Sequence, residues 1–218
     1  MKKPIILILI LSTFLASQAQ QADTLKSHYG QAFTGGQLVA PAALVASGSI
    51  IGLTPSFHQN VDIPLRDWVI QDGHDRIRVD DYFQFAPIAA VPLLKACGVE
   101  SQHSWRDLVS LSAGTFLLGT AIVQGLKYGI GQQRPYGYVY TSFPSGHTAD
   151  AFMGAEILRR EYGKEYPGIA IAGYAAATAT GLLRIYNNRH WASDVLAGAG
   201  IGILSASITY WLAPYLTF

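Results

Sequence analysis

The chain has 218 residues, room for one domain. Hydrophobic residues make up 50% and charged residues 13%, a greasier balance than a typical soluble enzyme and a more polar one than a dense transmembrane bundle. A formal net charge of +1 gives no basis for nucleic-acid binding, and a single cysteine, Cys97, excludes an internal disulfide and a cysteine-based metal cluster.

At the start of the chain, Lys2 and Lys3 precede an apolar core over 5–15, and Ser17-Gln18-Ala19 supplies a small-x-small cleavage site. This reads as a secretory signal peptide over 1–19, with an uncleaved N-terminal anchor as the alternative; both send the chain into the export pathway. No cysteine follows the apolar core, which excludes a lipoprotein anchor. Residues 20–36 form a polar mature N-terminal segment, and 37–218 read as one helical domain.

Apolar stretches follow at 38–53, 83–96, 108–126, 169–183 and 195–212. They lack the period-two alternation of half-buried strands, and small residues run through the last two, which suits close helix packing. The expected fold is all-α, a bundle of about six helices with the active site at one end and an association with the membrane, integral or firmly peripheral. Stretches 108–126 and 195–212 approach the roughly 20 apolar residues needed to span a bilayer. The segment after 146 does not, because Asp150, Glu156, Arg159, Arg160 and Glu161 lie along it, and 83–96 is short with Pro87, Pro92 and Lys95. The same patterns also suit the core helices of a soluble bundle.

Between the first two stretches, residues 72–81 hold His74, four aspartates and two arginines. The spacing matches no calcium loop, and the arginines oppose a cation site. The expected structure is a solvated loop or short amphipathic helix near the membrane surface.

Three motifs then follow within 68 positions: Lys127 with Arg134-Pro135, then Pro144-Ser145-Gly146-His147, then Arg184, His190 and Asp194. Lys127 closes an apolar helix and Gly129 and Gly131 loosen the chain, while Pro135 biases Arg134 toward extended backbone. A lysine at a helix end and an arginine in a loop can reach one anion from two directions, the arginine as a bidentate fork. Ser145 suits the N-cap of a helix starting near 148, and Gly146 lets the backbone approach a ligand closely. Free N–H groups at such a start form an anion site. Arg184 follows another apolar helix. His190 and Asp194, four apart, share one side if their stretch is helical. Each motif alone is ordinary surface charge or turn punctuation; together they supply three cations, two histidines and a carboxylate.

In this order and spacing the motifs resemble those of the type 2 phosphatidic acid phosphatase family, whose superfamily includes the vanadium haloperoxidases. The resemblance covers roughly residues 80–216. Leu183 departs from it, since the family often has Ser before the third-motif arginine, and this removes one phosphate contact.

The resemblance implies His190 as the nucleophile, Asp194 as its orienting partner and His147 as the general acid toward the leaving alkoxide. Lys127, Arg134, Arg184, Ser145 and the Gly146 N–H would neutralise the phosphoryl oxygens, with no metal and no other cofactor. Asn187, Asn188 and Arg189 either contact the substrate headgroup or lie exposed. The implied activity is a phosphoric monoester hydrolase acting on a lipid phosphate outside the cytoplasm. Lipid A phosphate ranks first, then undecaprenyl pyrophosphate or phosphatidylglycerol phosphate. The expected partners are that substrate and the membrane, with no nucleic acid and no required protein partner. The alternative is a soluble periplasmic acid phosphatase of broad specificity.

Overall fold

In the computed structural model, residues 35–70 and 76–213 are described. The expected signal and most of the segment to residue 36 lie outside them, as do His74, Asp72 and Asp75 of the charged stretch. Helix α1 spans Gly36–Leu53. A short turn at Pro55–Phe57 and a π-helical turn at His58–Asp62 lead into α2, Ile63–Val69. Then come α3 Asp80–Phe83, α4 Ala86–Ala96, α5 Trp105–Ile130, α6 Gly146–Tyr162, α7 Pro167–Tyr186 and α8 Ala192–Trp211. Six of these, α1 and α4–α8, build an all-α bundle, and no strand occurs among the described residues.

Two helices form the centre. α6 is buried along almost its whole length, and α8 buries 83% of its apolar window, against 28% for α1 and α5. The small residues of α8 make this possible. A Cβ added at Gly198 would lie 2.5 Å from the Ser145 carbonyl oxygen, and one at Gly200 equally near that of Pro41. α8 therefore touches the start of α6 on one side and α1 on the other, backbone against backbone.

α1, α5, α7 and α8 are long and apolar enough to cross a membrane. The outward faces of α1, α5 and α7 carry Val39, Ile50, Val109, Leu117 and Ile171, all more than half exposed, as lipid-facing surfaces require. α6 fails the apolar test for a local reason. Glu156 ties Arg159 and Arg160 at 2.6–2.8 Å and accepts from Tyr174 Oη, so these three charges are paired inside the bundle.

Chain direction matters for the site. α1 runs antiparallel to α8: Gly52 lies against Ser193, and Pro41 against Gly200. α1 thus starts at one end of the bundle and finishes at the other, where α5 and α7 end and α6 and α8 begin. α4 returns the chain from that end, since Pro87 and Ile88 lie against Gly154 and the Val91 carbonyl accepts from Tyr162.

Candidate active site

Helix termini gather the motifs. Lys127 sits in the last turn of α5, which runs on to Ile130 before Gly131 caps it at φ +64°; Gly129 is thus inside the helix and only Gly131 breaks it. Lys127 is buried, and its Nζ donates to the Thr141 and Ser142 carbonyls at 2.8 and 3.3 Å. Arg134 donates through Nη2 to the same Thr141 carbonyl at 3.3 Å, and its buried Nε has no partner. Both cations therefore hold the Thr141–Ser142 segment that leads into α6.

Ser145 is the N-cap of α6, with its Oγ accepting from Thr148 N at 3.4 Å and bonded to Thr148 Oγ1 at 2.8 Å. Its own N–H donates to the Asp194 carbonyl at 3.0 Å. Gly146 and His147 are the first two helical residues, so their N–H groups are among those left without intrahelical acceptors. A Cβ at Gly146 would meet the Lys127 stem at 3.8 Å, which places the helix start beside that cation.

His190 and Asp194 meet in a different way from the one expected. His190 lies in the α7–α8 loop, Trp191 is the N-cap of α8 and Asp194 is its third residue. The Asp194 Oδ2 atom accepts from Trp191 N at 2.9 Å, from Ser142 Oγ at 2.5 Å and from His190 Nδ1 at 3.1 Å. The pairing is thus a capping contact, not a shared helix face. A carboxylate accepts, so Nδ1 carries the proton and Nε2 keeps its lone pair. Burial, reinforced by Lys127, Arg134 and Arg184, pushes His190 well below the ordinary histidine range and holds it neutral. A neutral, oriented imidazole among three cations can attack an anionic ester that those cations hold.

Arg184, in the last turn of α7, is 4% exposed. Its Nη1 donates to Asp80 Oδ2 at 2.5 Å and Asp81 Oδ1 at 3.3 Å, while its buried Nε has no partner. The orphaned Nε groups of Arg134 and Arg184 are donors in want of an acceptor, the chemistry of an oxyanion cradle.

The charged stretch departs from the sequence expectation in one respect: 77–79 are exposed and a short helix follows, but that helix, α3, turns Asp80 and Asp81 into the site. Asp80 is fully buried on Arg184, and Asp81 lies 3.4 Å from His147 Nε2 and 2.7 Å from Arg76 Nη2. Asn187 explains how: its side chain both accepts from Ile77 N at 2.9 Å and donates to Ile77 O at 2.8 Å, pinning that segment to the end of α7. Asn187 is therefore occupied with backbone rather than headgroup. Asn188, at φ +56°, accepts from Arg66, and Arg189 stacks on Tyr136 at 4.9 Å.

Ser142, Asp80, Asp81 and Asp62 escaped the sequence reading. Asp62 accepts from Ser193 N at 3.0 Å, a tertiary cap that fixes the start of α8. Ser142 lies two residues before the second motif and Asp80 and Asp81 lie in the 72–81 charge cluster, but nothing in the sequence ties either position to the site; Asp62 carries no signal. His147 is pushed down to about 4 by burial and by Arg184, against the pull of Asp81 and Asp80.

With this geometry in place, the relatives can be compared. The PAP2 superfamily pattern matches residues 108–218, half of the chain and all three motifs. The chain belongs to the PAP2 superfamily. It is 41% identical over 160 residues to the lipid A 1-phosphatase of Porphyromonas gingivalis, covering 72% of this chain and 36% of the relative. It is 38% identical over 77 residues to the bacitracin transport permease protein BcrC of Bacillus licheniformis, covering 35% of this chain and 36% of that one. The match thus spans about a third of the length of either curated relative. Crystallised LpxE of Aquifex aeolicus is 27% identical at a TM-score of 0.53, over 68% of this chain and 93% of that one. A PAP2-type phosphatidylglycerolphosphate phosphatase from Bacillus subtilis has the same TM-score at 18% identity, over 81% of this chain and 97% of that one, and shares the fold.

Proposed function

We propose that the chain is a membrane-bound lipid phosphate phosphatase, working through a phosphohistidine and needing no metal. The observation that carries this is the neutral His190, oriented by Asp194 among Lys127, Arg134 and Arg184. The His190 Nε2 lone pair attacks phosphorus in line as the bond to the leaving oxygen breaks. His147 gives its proton to that oxygen. Water then attacks the phosphorus–nitrogen bond, His147 takes the water proton, and free phosphate leaves. The three cations, Ser145 and the Gly146 N–H neutralise the equatorial oxygens, the task a metal performs elsewhere.

For the substrate we rank lipid A phosphate first, then undecaprenyl pyrophosphate or phosphatidylglycerol phosphate, with the Porphyromonas relative in support. Purified enzyme in mixed micelles should release phosphate fastest from lipid A, and do so in EDTA. A faster rate on the other lipids would overturn the ranking, and loss of activity in EDTA restored by a divalent cation would overturn the metal-free mechanism.

We place the site on the outer face of the membrane. Since α1 starts at the far end of the bundle, this puts Gly36 on the inner face, and a bundle that crosses the bilayer cannot then follow a signal cut on the outside after Ala19. The export-type N-terminus favours a second reading, in which the signal is cleaved and the bundle stays wholly outside as a soluble acid phosphatase. Two cysteines distinguish these. Cys97 is exposed at the C-cap of α4, at the far end, and Tyr138 is 95% exposed in the loop between α5 and α6, at the site end. With an impermeant maleimide on intact spheroplasts, Tyr138→Cys in a Cys97→Ser background should label, and native Cys97 only after lysis. Full labelling of both, with enzyme in the osmotic-shock fraction, would mean the soluble reading; the reverse pattern would put the site in the cytoplasm.

A further inference from the structure

The charges of the site are unevenly distributed. Lys127, Arg134 and Arg184 all act on His190, while at His147 the Arg184 charge is opposed by Asp81 and Asp80. The acid therefore has two carboxylates of the 76–83 segment beside it, and the one in reach of His147 is Asp81. Asp80 is locked away, fully buried and bonded to Arg184 at 2.5 Å. Asp81 is reachable, with its side chain 37% exposed at the rim. Its Oδ1 lies 3.4 Å from His147 Nε2 and 3.3 Å from Arg184 Nη1, and its Oδ2 is held by Arg76 at 2.7 Å. Burial works against its charge, but Arg76, Arg184 and His147 hold the carboxyl below the usual range, so it stays ionised.

A general acid must face the leaving oxygen, so whatever borders His147 borders the leaving group. We propose that Asp81 is a specificity residue for the leaving group: it accepts hydrogen bonds from hydroxyls flanking the scissile ester, as on a sugar, and repels a leaving group that is itself a phosphate. This rests on the assignment of His147 as the acid. It selects, within the lipid phosphates, monoesters on hydroxylated headgroups over polyprenyl diphosphates. A leaving phosphate that takes its proton from His147 would meet the Asp81 carboxylate, 3.4 Å from that imidazole, at a partly exposed rim. Like-charge repulsion there, softened by Arg76 and by solvent, corresponds to roughly 10- to 100-fold in kcat/KM.

The test uses farnesyl phosphate and farnesyl diphosphate, which differ only by the second phosphate, with lipid A as the sugar-linked substrate. Asp81→Asn removes the charge and keeps an acceptor. It should raise kcat/KM for farnesyl diphosphate relative to farnesyl phosphate by about 10-fold or more, a ratio in which any loss common to both substrates cancels. Asp81→Glu should keep the wild-type ratio. Glu165→Gln, at an exposed carboxylate in the α6–α7 turn at the far end of the bundle, is the control. A diphosphate-to-monophosphate ratio that Asp81→Asn leaves within twofold of wild type would overturn the proposal. Equal losses on all three substrates would do the same, by showing that Asp81 only steadies Arg184 and His147. Failure of the acid assignment itself is read separately, from the leaving-group dependence of His147→Ala.

Discussion

His190→Ala leaves no measurable turnover of any phosphate ester, aryl or alkyl. Among the described residues, no other nucleophile has a carboxylate fixing its tautomer while three cations surround it. Loss of a covalent nucleophile removes the step itself rather than a part of its stabilisation, so the drop should exceed about 10⁴-fold. Wild-type enzyme quenched with base during turnover of a ³²P-labelled substrate should carry label that is stable to alkali and released by acid. Near-wild-type activity in His190→Ala, or label stable to acid, would move the nucleophile elsewhere. Asp194→Asn should fall between these extremes. It keeps an acceptor for His190 but loses the charge that favours the Nδ1-protonated tautomer.

His147→Ala should lose about 10²–10⁴-fold on lipid phosphates and far less on p-nitrophenyl phosphate, whose leaving group needs little protonation. The pH profile gives a second readout. In the free protein His147 is pushed down to about 4, chiefly by burial and then by Arg184. Its protonated fraction therefore grows as pH falls from 6.5 toward 4. Wild-type kcat/KM on an alkyl ester should have an acidic optimum, with an alkaline limb that the aryl substrate and the His147→Ala variant both lack. Equal losses on aryl and alkyl esters would instead make His147 a phosphate-binding group.

Much of this was legible in the sequence because it depends on local chemistry. Ser145 can cap a helix by itself, Gly131 can stop one, and small residues through 195–212 allow a central helix wherever that helix packs. Six bundle helices follow from the length and polarity of the apolar runs. Where the reading slipped, the cause was nonlocal. The interval between His190 and Asp194 pointed to a helix face, yet the pair is joined by the cap of α8, in which Trp191 N and Ser142 Oγ share the carboxylate. Which end of the bundle α1 starts from could not be read without knowing that α4 carries the chain back to the far end, a matter of what α6 offers it to pack on.

The sequence alone placed three cations, two histidines and a carboxylate at fixed intervals, a covalent fact about the chain, and these are the groups we propose do the chemistry. Only the tertiary structure decided what borders them. Asp80 and Asp81 precede the first motif by more than forty positions, and no local rule links them to Arg184 or His147. Asn187 ties their segment to α7 through two hydrogen bonds to Ile77. Burying the charge of Arg184 at a helix end requires a carboxylate beside it, and the fold supplies Asp80 from a distant part of the chain.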